Sequence, residues 1–295
     1  MSLLSLSNSH AQSDNLIVLA MDWDLHIAHL EAPVVLFPIS NSHTEELIIS
    51  SAELALHRDR ISDAYPGYEI RRDPDNPFAG SYRFTDALDK NYFLEALLKT
   101  NIDDESFRGP AFRRFYSALK NPKVLETLNI VTSRGHSPEQ FLEGLKYLLD
   151  KNIITDLPKL ENIHTIAYQY GPTAKLMAPD AKLWVLMDLL DNLNSKPLKA
   201  QSKAIKWNDL HYFEFSDDSY AYISHVSQGL MAEIQKNRWP NVNIAIRYSG
   251  LKRNELVHHN FFLLKDMKTR PISPDEESEI NLAINPTEAC DISLL

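Results

Sequence analysis

The chain has 295 residues, of which 44% are hydrophobic and 24% are charged, a composition typical of globular proteins and unlike that of disordered or fibrous chains. Because single hydrophobic cores rarely grow beyond ~250–300 residues, this length favours one catalytic core with a smaller inserted domain. The 30 basic and 40 acidic residues give a formal net charge of -10, which argues against nucleic acid and membranes as partners. Small phosphorylated molecules are still compatible with this charge.

The single cysteine, Cys290, excludes an intramolecular disulfide and a cysteine-rich zinc site, and it favours a reducing compartment. The apolar run from Leu16 to Met21 is too short for the core of a signal peptide or for a membrane span. Residues 1–14 carry no basic residue either. We therefore expect a soluble, cytoplasmic protein.

Five short apolar runs rich in Val, Ile, Phe and Tyr predict buried β-strands, and segments with helical spacing separate most of them. A capping box at Ser137 begins one predicted helix, and two more are predicted at residues 181–193 and 219–236. The alternation predicts an α/β fold with a doubly wound, mainly parallel five-stranded sheet. The predicted strands cover residues 15–22, 128–133, 162–169, 211–216 and 241–248.

About a hundred residues separate the first two predicted strands, far more than a parallel crossover needs. We predict a mostly helical cap at residues 40–122, inserted into a catalytic core of residues 1–39 and 123–270. The predicted helices of the cap cover residues 44–57, 84–98 and 110–119.

The carboxy-terminal segment, residues 271–295, contains three prolines and an acidic block but no amphipathic period. We expect it to be extended or disordered. Glutamate-rich carboxy termini also resemble export signals of type IV secretion substrates, although a solvated tail is the simpler interpretation.

Two carboxylates, Asp22 and Asp24, follow the first predicted strand, at the end where doubly wound sheets bind their ligands. Unpaired charge is costly at such a buried position, and a divalent cation would compensate it. Taken alone, an Asp-x-Asp sequence is also compatible with an ordinary capped turn.

Small hydroxyl side chains and a cation follow the second predicted strand, as Thr132, Ser133 and Arg134. A hydroxyl at this edge can bind a phosphoryl oxygen, or it can simply cap the following turn. A second acidic pair, Asp217 and Asp218, follows the fourth predicted strand, where one of the two could instead cap the next helix.

Lys182 opens the helix before the fourth predicted strand, where a cation gains nothing from the helix dipole and could reach a phosphate. An ordinary solvated lysine is the alternative. Other lysines precede the same strand and compete for this role: Lys196, Lys199, Lys203 and Lys206.

The order of these groups resembles the four motifs of the haloacid dehalogenase (HAD) superfamily. MDWD matches the first motif, IVTSRG the second, Lys182 the third and FSDDS the fourth. The resemblance covers residues 14–35 and 124–250 and implies an HAD-like Rossmannoid core. One departure is His26, which stands where family members usually have Thr or Val.

The resemblance implies a phosphatase that acts on a phosphorylated small molecule or another phosphomonoester. Asp22 would attack phosphorus and form an aspartyl-phosphate, while Asp24 would protonate the leaving oxygen and later activate water. Thr132 would bind the transferring group and Lys182 would neutralise its charge. These two residues, with Ser133 and Arg134, would form the substrate-binding set.

The resemblance also implies Mg²⁺ as cofactor, held by Asp22, the carbonyl of Asp24 and Asp217, with Asp218 in support. Two other functions remain open. A non-catalytic binding or effector protein on the same fold, with a protein partner, would accommodate His26 and the acidic tail. A nucleotide-sugar glycosyltransferase would also place a metal on paired carboxylates, but it leaves Thr132 and the pair Asp217 and Asp218 unexplained.

Overall fold

The structure is a computed structural model in which helices pack on both faces of a seven-stranded, mostly parallel sheet. Within the part of the chain that it describes, no helix is both long and apolar enough to cross a lipid bilayer. The described residues are 15–30, 33–39, 45–50, 53–54, 57, 61–71, 80–81, 90–169, 178–198, 209–252 and 255–285.

The described strands form two separate sheets. They are β1 (Ile17–Met21), β2 (Pro33–Pro38), β3 (Leu47–Ser50), β4 (Tyr68–Glu69), β5 (Leu128–Thr132), β6 (Ile163–Thr165), β7 (His211–Asp217), β8 (Val242–Lys252), β9 (Glu255–Leu263) and β10 (Thr269–Pro271). The principal helices are α1 (Ile61–Ala64), α2 (Tyr92–Lys99), α3 (Phe112–Lys120), α4 (Pro122–Leu125), α5 (Pro138–Asp150), α6 (Ala178–Asn194), α7 (Tyr220–Gln235) and α8 (Pro274–Ile284).

The large sheet has the strand order β10-β9-β8-β7-β1-β5-β6, in which β8, β7, β1, β5 and β6 are parallel. The five predicted strands and their parallel pairing are therefore confirmed, while β9 and β10 add an antiparallel edge. The third predicted strand is shorter than expected, because the edge strand β6 pairs with only three residues of β5 and residues 166–169 are helical.

Strand β1 lies at the point where the winding of the sheet reverses. The chain passes from β1 to β5 and β6 on one side, and then returns to β7 and β8 on the other. Loops diverge at such a reversal beyond the carboxyl ends of the strands, which is where open α/β sheets bind ligands.

The two faces of the sheet carry separate hydrophobic cores because successive strand residues point to opposite sides. Leu19 and Met21 pack with α2, α3, α5 and α8, whereas Val18 and Ala20 pack with α6 and α7. A central strand buried on both faces explains why residues 17–21 are continuously apolar.

The structure departs from the predicted helical insertion where residues 47–50 and 68–69 form strands. These strands, β3 and β4, pair with β2, which precedes the predicted insertion, in an antiparallel three-stranded sheet of order β3-β2-β4 with a small core of its own around Val34, Leu36 and Ile49. Residues 47–50, predicted to be helical, form β3. The apolar residues of this segment fit either period, and pairing with β2 selects the strand.

The second part of the predicted insertion packs against the large sheet. Phe93 of α2 and Phe115 of α3 belong to the same core as Leu19 and Met21. The second part of the predicted core starts at residue 123, but in the structure α2 and α3, which come before this residue, also pack into the core of the large sheet. Residues 72–79 and 82–89, which include the first part of the helix predicted at residues 84–98, lie outside the described residues.

The expectation of an extended or disordered carboxy-terminal segment is wrong for residues 274–284, which form α8. Ser273 and Glu276 make a capping box at its start, and Ile280 and Ile284 are buried four residues apart. These two signals are present in the sequence, but the charged residues around them obscure the apolar stripe. Residues 286–295 lie outside the described part.

A buried ion cluster joins α8 and α3 to the sheet. Glu214 of β7, which is fully buried, accepts hydrogen bonds from Arg114 Nε at 2.5 Å and from Arg247 Nε at 2.6 Å. Arg247 Nη2 also lies 2.8 Å from Glu277 Oε2 of α8. Although burial raises the pKa of Glu214, the charges of Arg114 and Arg247 outweigh it and lower that pKa to about 2.

We expect Ile280→Ala to lower the free energy of unfolding by about 2–5 kcal/mol, because it removes a fully buried side chain. Leu282→Ala, in the same helix but 41% exposed, is the matched control and should change stability by less than about 0.5 kcal/mol. Urea denaturation of both variants measures the difference. Equal effects of the two substitutions would show that α8 is not packed as described.

The ion cluster predicts a specific loss of stability in acid. Because the folded-state pKa of Glu214 lies below its ordinary value of 4.5, its pairing contributes fully above about pH 4.5 and is lost as the pH falls towards 2. The wild type should therefore lose more unfolding free energy over this range than Glu214→Gln, which has no carboxylate to protonate. Parallel pH dependence of the two proteins would contradict the assignment.

Candidate active site

The predicted site residues meet at the carboxyl edge of the large sheet. Asp22 follows β1, Thr132 ends β5 and Asp217 ends β7, and β1 lies between the other two strands. The N–H of Asp22 donates a hydrogen bond to the carbonyl of Ser216, which joins the ends of β1 and β7. The strand order thus brings together acidic groups from chain segments almost two hundred residues apart.

A buried ammonium lies between two of these carboxylates. Lys182 Nζ of α6 donates hydrogen bonds to Asp22 Oδ1 and to Asp217 Oδ2, each at 2.7 Å. Lys182 and Asp217 are completely buried and Asp22 is nearly so. The alternative of a solvated Lys182 is therefore wrong.

The charges at this triad determine the direction of its pKa shifts. Burial raises the pKa of Asp22 to about 7, and Asp217 adds to the rise while Lys182 opposes it. Burial would lower the pKa of Lys182, but the charges of Asp217 and Asp22 outweigh it and raise the pKa above its ordinary value. The ammonium therefore stays protonated at neutral pH.

Three carboxylates have the arrangement that a cation site requires. One oxygen each from Asp22, Asp217 and Asp218 lies within 4.8 Å of the others, and within the described residues this is the one such group found. Oxygen ligands of this kind suit Mg²⁺. Lys182 shares two of the three carboxylates, so a bound Mg²⁺ would have to use their remaining oxygens or displace the ammonium.

The second oxygen of Asp217 is used in the turn that follows β7. Asp217 Oδ1 accepts a hydrogen bond from the N–H of Ser219 at 2.7 Å. The Ser219 hydroxyl caps α7 by accepting from the N–H of Tyr222. Ser219, rather than Asp217 or Asp218, is therefore the cap of α7, so capping does not explain the acidic pair.

Asp24 does not point towards Lys182 but forms a close ion pair with Arg134. Arg134 Nη2 lies 2.5 Å from Asp24 Oδ1, and Arg134 Nε lies 2.9 Å from Asp24 Oδ2. The guanidinium lies over the ring of Phe93, 4.9 Å from its centre, and the Arg134 side chain is almost fully buried. A fork-shaped pair of this kind has a well-defined geometry.

The two hydroxyls after β5 are buried beside this ion pair. Thr132 Oγ1 accepts a hydrogen bond from the N–H of Arg134 at 3.4 Å, so it does support the turn, as the capping alternative proposes. Ser133 Oγ is buried without a hydrogen-bond partner within the described residues. A buried hydroxyl in this state can still donate to a ligand oxygen.

Residues 22–28, called the aspartate loop below, turn back on themselves. The carbonyl of Trp23 accepts hydrogen bonds from two later N–H groups of the loop, at 2.9 and 3.1 Å. His26 is fully buried in the loop, and burial lowers its pKa to about 4, so its ring is neutral at pH 7. The Ser249 backbone lies near the ring, but neither ring nitrogen is in hydrogen-bonding geometry with a described atom.

Several aromatic residues that sequence reasoning did not identify support the site. The ring of Trp23 makes edge contacts with Phe93, Phe115 and Phe141, at centroid distances of 5.2–5.7 Å. Lys182 Nζ lies 4.7 Å from the centre of the Tyr222 ring. The spacing of Phe93, Phe115, Phe141 and Tyr222 in the sequence indicates only that they lie in helices. It carries no signal for contacts with charged groups.

The competing lysines do not occupy this site where the structure describes them. Lys196 follows the far end of α6, and its carbonyl lies 3.2 Å from the His211 ring at the start of β7, at the opposite edge of the sheet. Lys199, Lys203 and Lys206 lie outside the described residues. Among the described candidates, the geometry favours Lys182.

Comparison of the chain with family models, with curated proteins and with solved structures found no match.

We expect Lys182→Met to lower the free energy of unfolding by about 3–5 kcal/mol, because it leaves two buried carboxylates without their cation. Adding Mg²⁺ should restore more stability to this variant than it adds to the wild type. Urea denaturation with and without Mg²⁺ measures both effects. Lys146→Met, at an exposed lysine of α5, is the control, and an equally small effect at both positions would refute the buried triad.

Proposed function

We propose that the protein is a Mg²⁺-dependent phosphohydrolase of the HAD type, with Asp22 as the nucleophile. One observation carries the proposal: oxygens of Asp22, Asp217 and Asp218 lie within 4.8 Å of one another at a sheet edge. Lys182 adds a cation at 2.7 Å from two of them. A buried set of acidic oxygens and an ammonium suits phosphoryl transfer, which depends mainly on alignment and on charge stabilisation.

In the proposed reaction, a carboxylate oxygen of Asp22 attacks the phosphorus of a phosphomonoester. The bond from phosphorus to the leaving oxygen breaks, and that oxygen takes a proton from Asp24. Asp24 then accepts a proton from water as the water oxygen attacks phosphorus. The second attack breaks the bond to Asp22 and releases inorganic phosphate.

Asp22, Asp217 and Asp218 would hold the Mg²⁺, together with the carbonyl of Asp24 that the resemblance implies. When bound, the ion supplies positive charge against the phosphoryl oxygens. Lys182 serves the same end from the protein, and its charge opposes the rise that burial causes in the pKa of Asp22. Thr132 and Ser133 supply hydroxyls at the adjacent strand end, within reach of the transferring group.

Arg134 has a proposed role in binding the substrate. Its fork of N–H donors, occupied by Asp24 in this structure, matches the geometry of a phosphoryl group equally well. Exchange of the carboxylate for a phosphoryl group would release Asp24, which would then take up a proton from water before donating it to the leaving oxygen. This exchange links substrate binding to the freeing of the general acid.

A non-catalytic protein of the same fold is the second candidate, because cations of the protein already contact three of the four acidic groups of the site. Lys182 lies against Asp22 and Asp217, and Arg134 pairs with Asp24. Turnover of a phosphate ester separates the two candidates directly.

The purified protein is expected to hydrolyse p-nitrophenyl phosphate with Mg²⁺ and to lose this activity in excess EDTA. Asp22→Asn should lower kcat by at least about 1000-fold, because an amide cannot act as the nucleophile. Asp150→Asn, at an exposed position of α5, should leave kcat unchanged. The absorbance of the released p-nitrophenolate measures the activity of the wild type, with and without EDTA, and of both variants.

Unchanged turnover in Asp22→Asn would exclude the proposed nucleophile. A wild type that turns over no member of a broad phosphate-ester panel would instead favour the non-catalytic candidate.

A further inference from the structure

A cavity lies beside α3 and the segment that precedes it. Its volume of about 450 Å³ falls in the range of small-molecule sites, and none of the candidate catalytic residues lines it. Its wall includes Arg108, Phe112, Arg113, Tyr116, Asn152 and Ile153. We call it the α3 cavity.

The charge around the α3 cavity is opposite to that of the chain as a whole. Residues 106–123 contain five basic residues and no acidic one, although the chain carries a formal net charge of -10. Arg114 of this segment turns inward to Glu214, whereas Arg108 and Arg113 are exposed at the cavity. A local concentration of guanidinium groups favours an anionic ligand, above all a phosphate or a carboxylate.

Two aromatic rings lie between two cations along one side of α3. Phe112 and Tyr116 stack at 6.2 Å with an angle of 19° between their planes. Arg108 lies 5.4 Å from the centre of the Phe112 ring, and Lys120 lies 4.5 Å from that of Tyr116. Phe112, Tyr116 and Lys120 are four residues apart on one side of α3, and Arg108, just before the helix, extends this stripe through its contact with Phe112. Tyr116, the less buried of the two rings, lines the cavity and offers apolar surface beside the charge.

The wall of the α3 cavity is bonded directly to the aspartate loop. The N–H of Gly109 donates to the carbonyl of Ile27 at 2.9 Å, and the N–H of Ala111 donates to that of His26 at 2.8 Å. A Cβ atom at position 109 would lie 2.3 Å from the His26 carbonyl oxygen, so only glycine allows this approach. A ligand that orders residues 108–113 would therefore also order the aspartate loop.

We propose that the α3 cavity binds an anionic ligand that carries a planar ring, of the nucleotide class, and that its occupation steadies the aspartate loop. The guanidinium groups of Arg108 and Arg113 bind the phosphates, and the planar ring packs against the half-buried Tyr116 side chain at the cavity wall. This assignment does not depend on the proposed phosphatase activity, because none of the candidate catalytic residues lines the cavity.

Calorimetric titration of the full-length protein with ADP tests the proposal. Excess EDTA in the buffer keeps Mg²⁺ from the candidate active site. ADP should bind at least about tenfold more tightly than pyrophosphate, which has the charge but no ring. Arg108→Glu and Arg113→Glu, both at exposed positions, should each weaken ADP binding by about tenfold or more.

Two control variants locate the binding. Lys146→Glu, which reverses an exposed charge on α5, and Asp22→Asn, at the candidate active site, should both leave ADP affinity unchanged. Hydrogen exchange of the Gly109 and Ala111 amides should slow when ADP is added, whereas unchanged exchange would remove the link to the aspartate loop.

Absence of ADP binding up to about 1 mM would overturn the proposal. So would ADP binding that is lost in Asp22→Asn but retained in Arg108→Glu, since the ligand would then occupy the active site. Heparin binding that depends on Arg108 without any ADP binding would also overturn it, in favour of a macromolecular polyanion.

Discussion

The buried ammonium of Lys182 is the interaction on which the arrangement of the site depends. It lies 2.7 Å from a carboxylate oxygen of Asp22 and 2.7 Å from one of Asp217, and the three side chains are almost completely removed from water. Carboxylates placed at the buried ends of two adjacent strands would otherwise repel each other in a medium of low polarity. Because the cation comes from α6, the ends of β1 and β7 can adjoin only when α6 is packed in place.

Strand β7 carries two buried acidic groups, and each is paired with a cation from another element. Its middle carries Glu214, neutralised by Arg114 of α3 and Arg247 of β8, and its end carries Asp217, neutralised by Lys182. Each acidic group is compensated by a cation from a distant part of the chain. Leaving either charge unpaired would be strongly unfavourable, so the two ion clusters together disfavour any packing in which α3, α6 or β8 is displaced from β7.

The proposed reaction depends on the exchange of one charged partner, in which a phosphoryl group replaces Asp24 at Arg134. Arg134 is paired with Asp24 of the aspartate loop while its guanidinium lies against Phe93. A phosphoryl group would compete for Arg134 and so release Asp24. The α3 cavity lies behind the same loop, joined to it through the backbone of Gly109 and Ala111. The aspartate loop thus connects the two proposed binding sites.

The sequence by itself determined the five parallel strands, the capped helix α5 and the positions of the acidic, hydroxyl and lysine groups at strand ends, because these depend on local periodicity and capping. Only the tertiary structure decided that residues 47–50 pair as a strand and that the side chains of Ile280 and Ile284 are buried and hold α8 against the core. It alone decided that Lys182 joins Asp22 to Asp217 and that Asp24 turns to Arg134. Such pairings are set by strand order and by competition among distant charges, for which local sequence carries no signal.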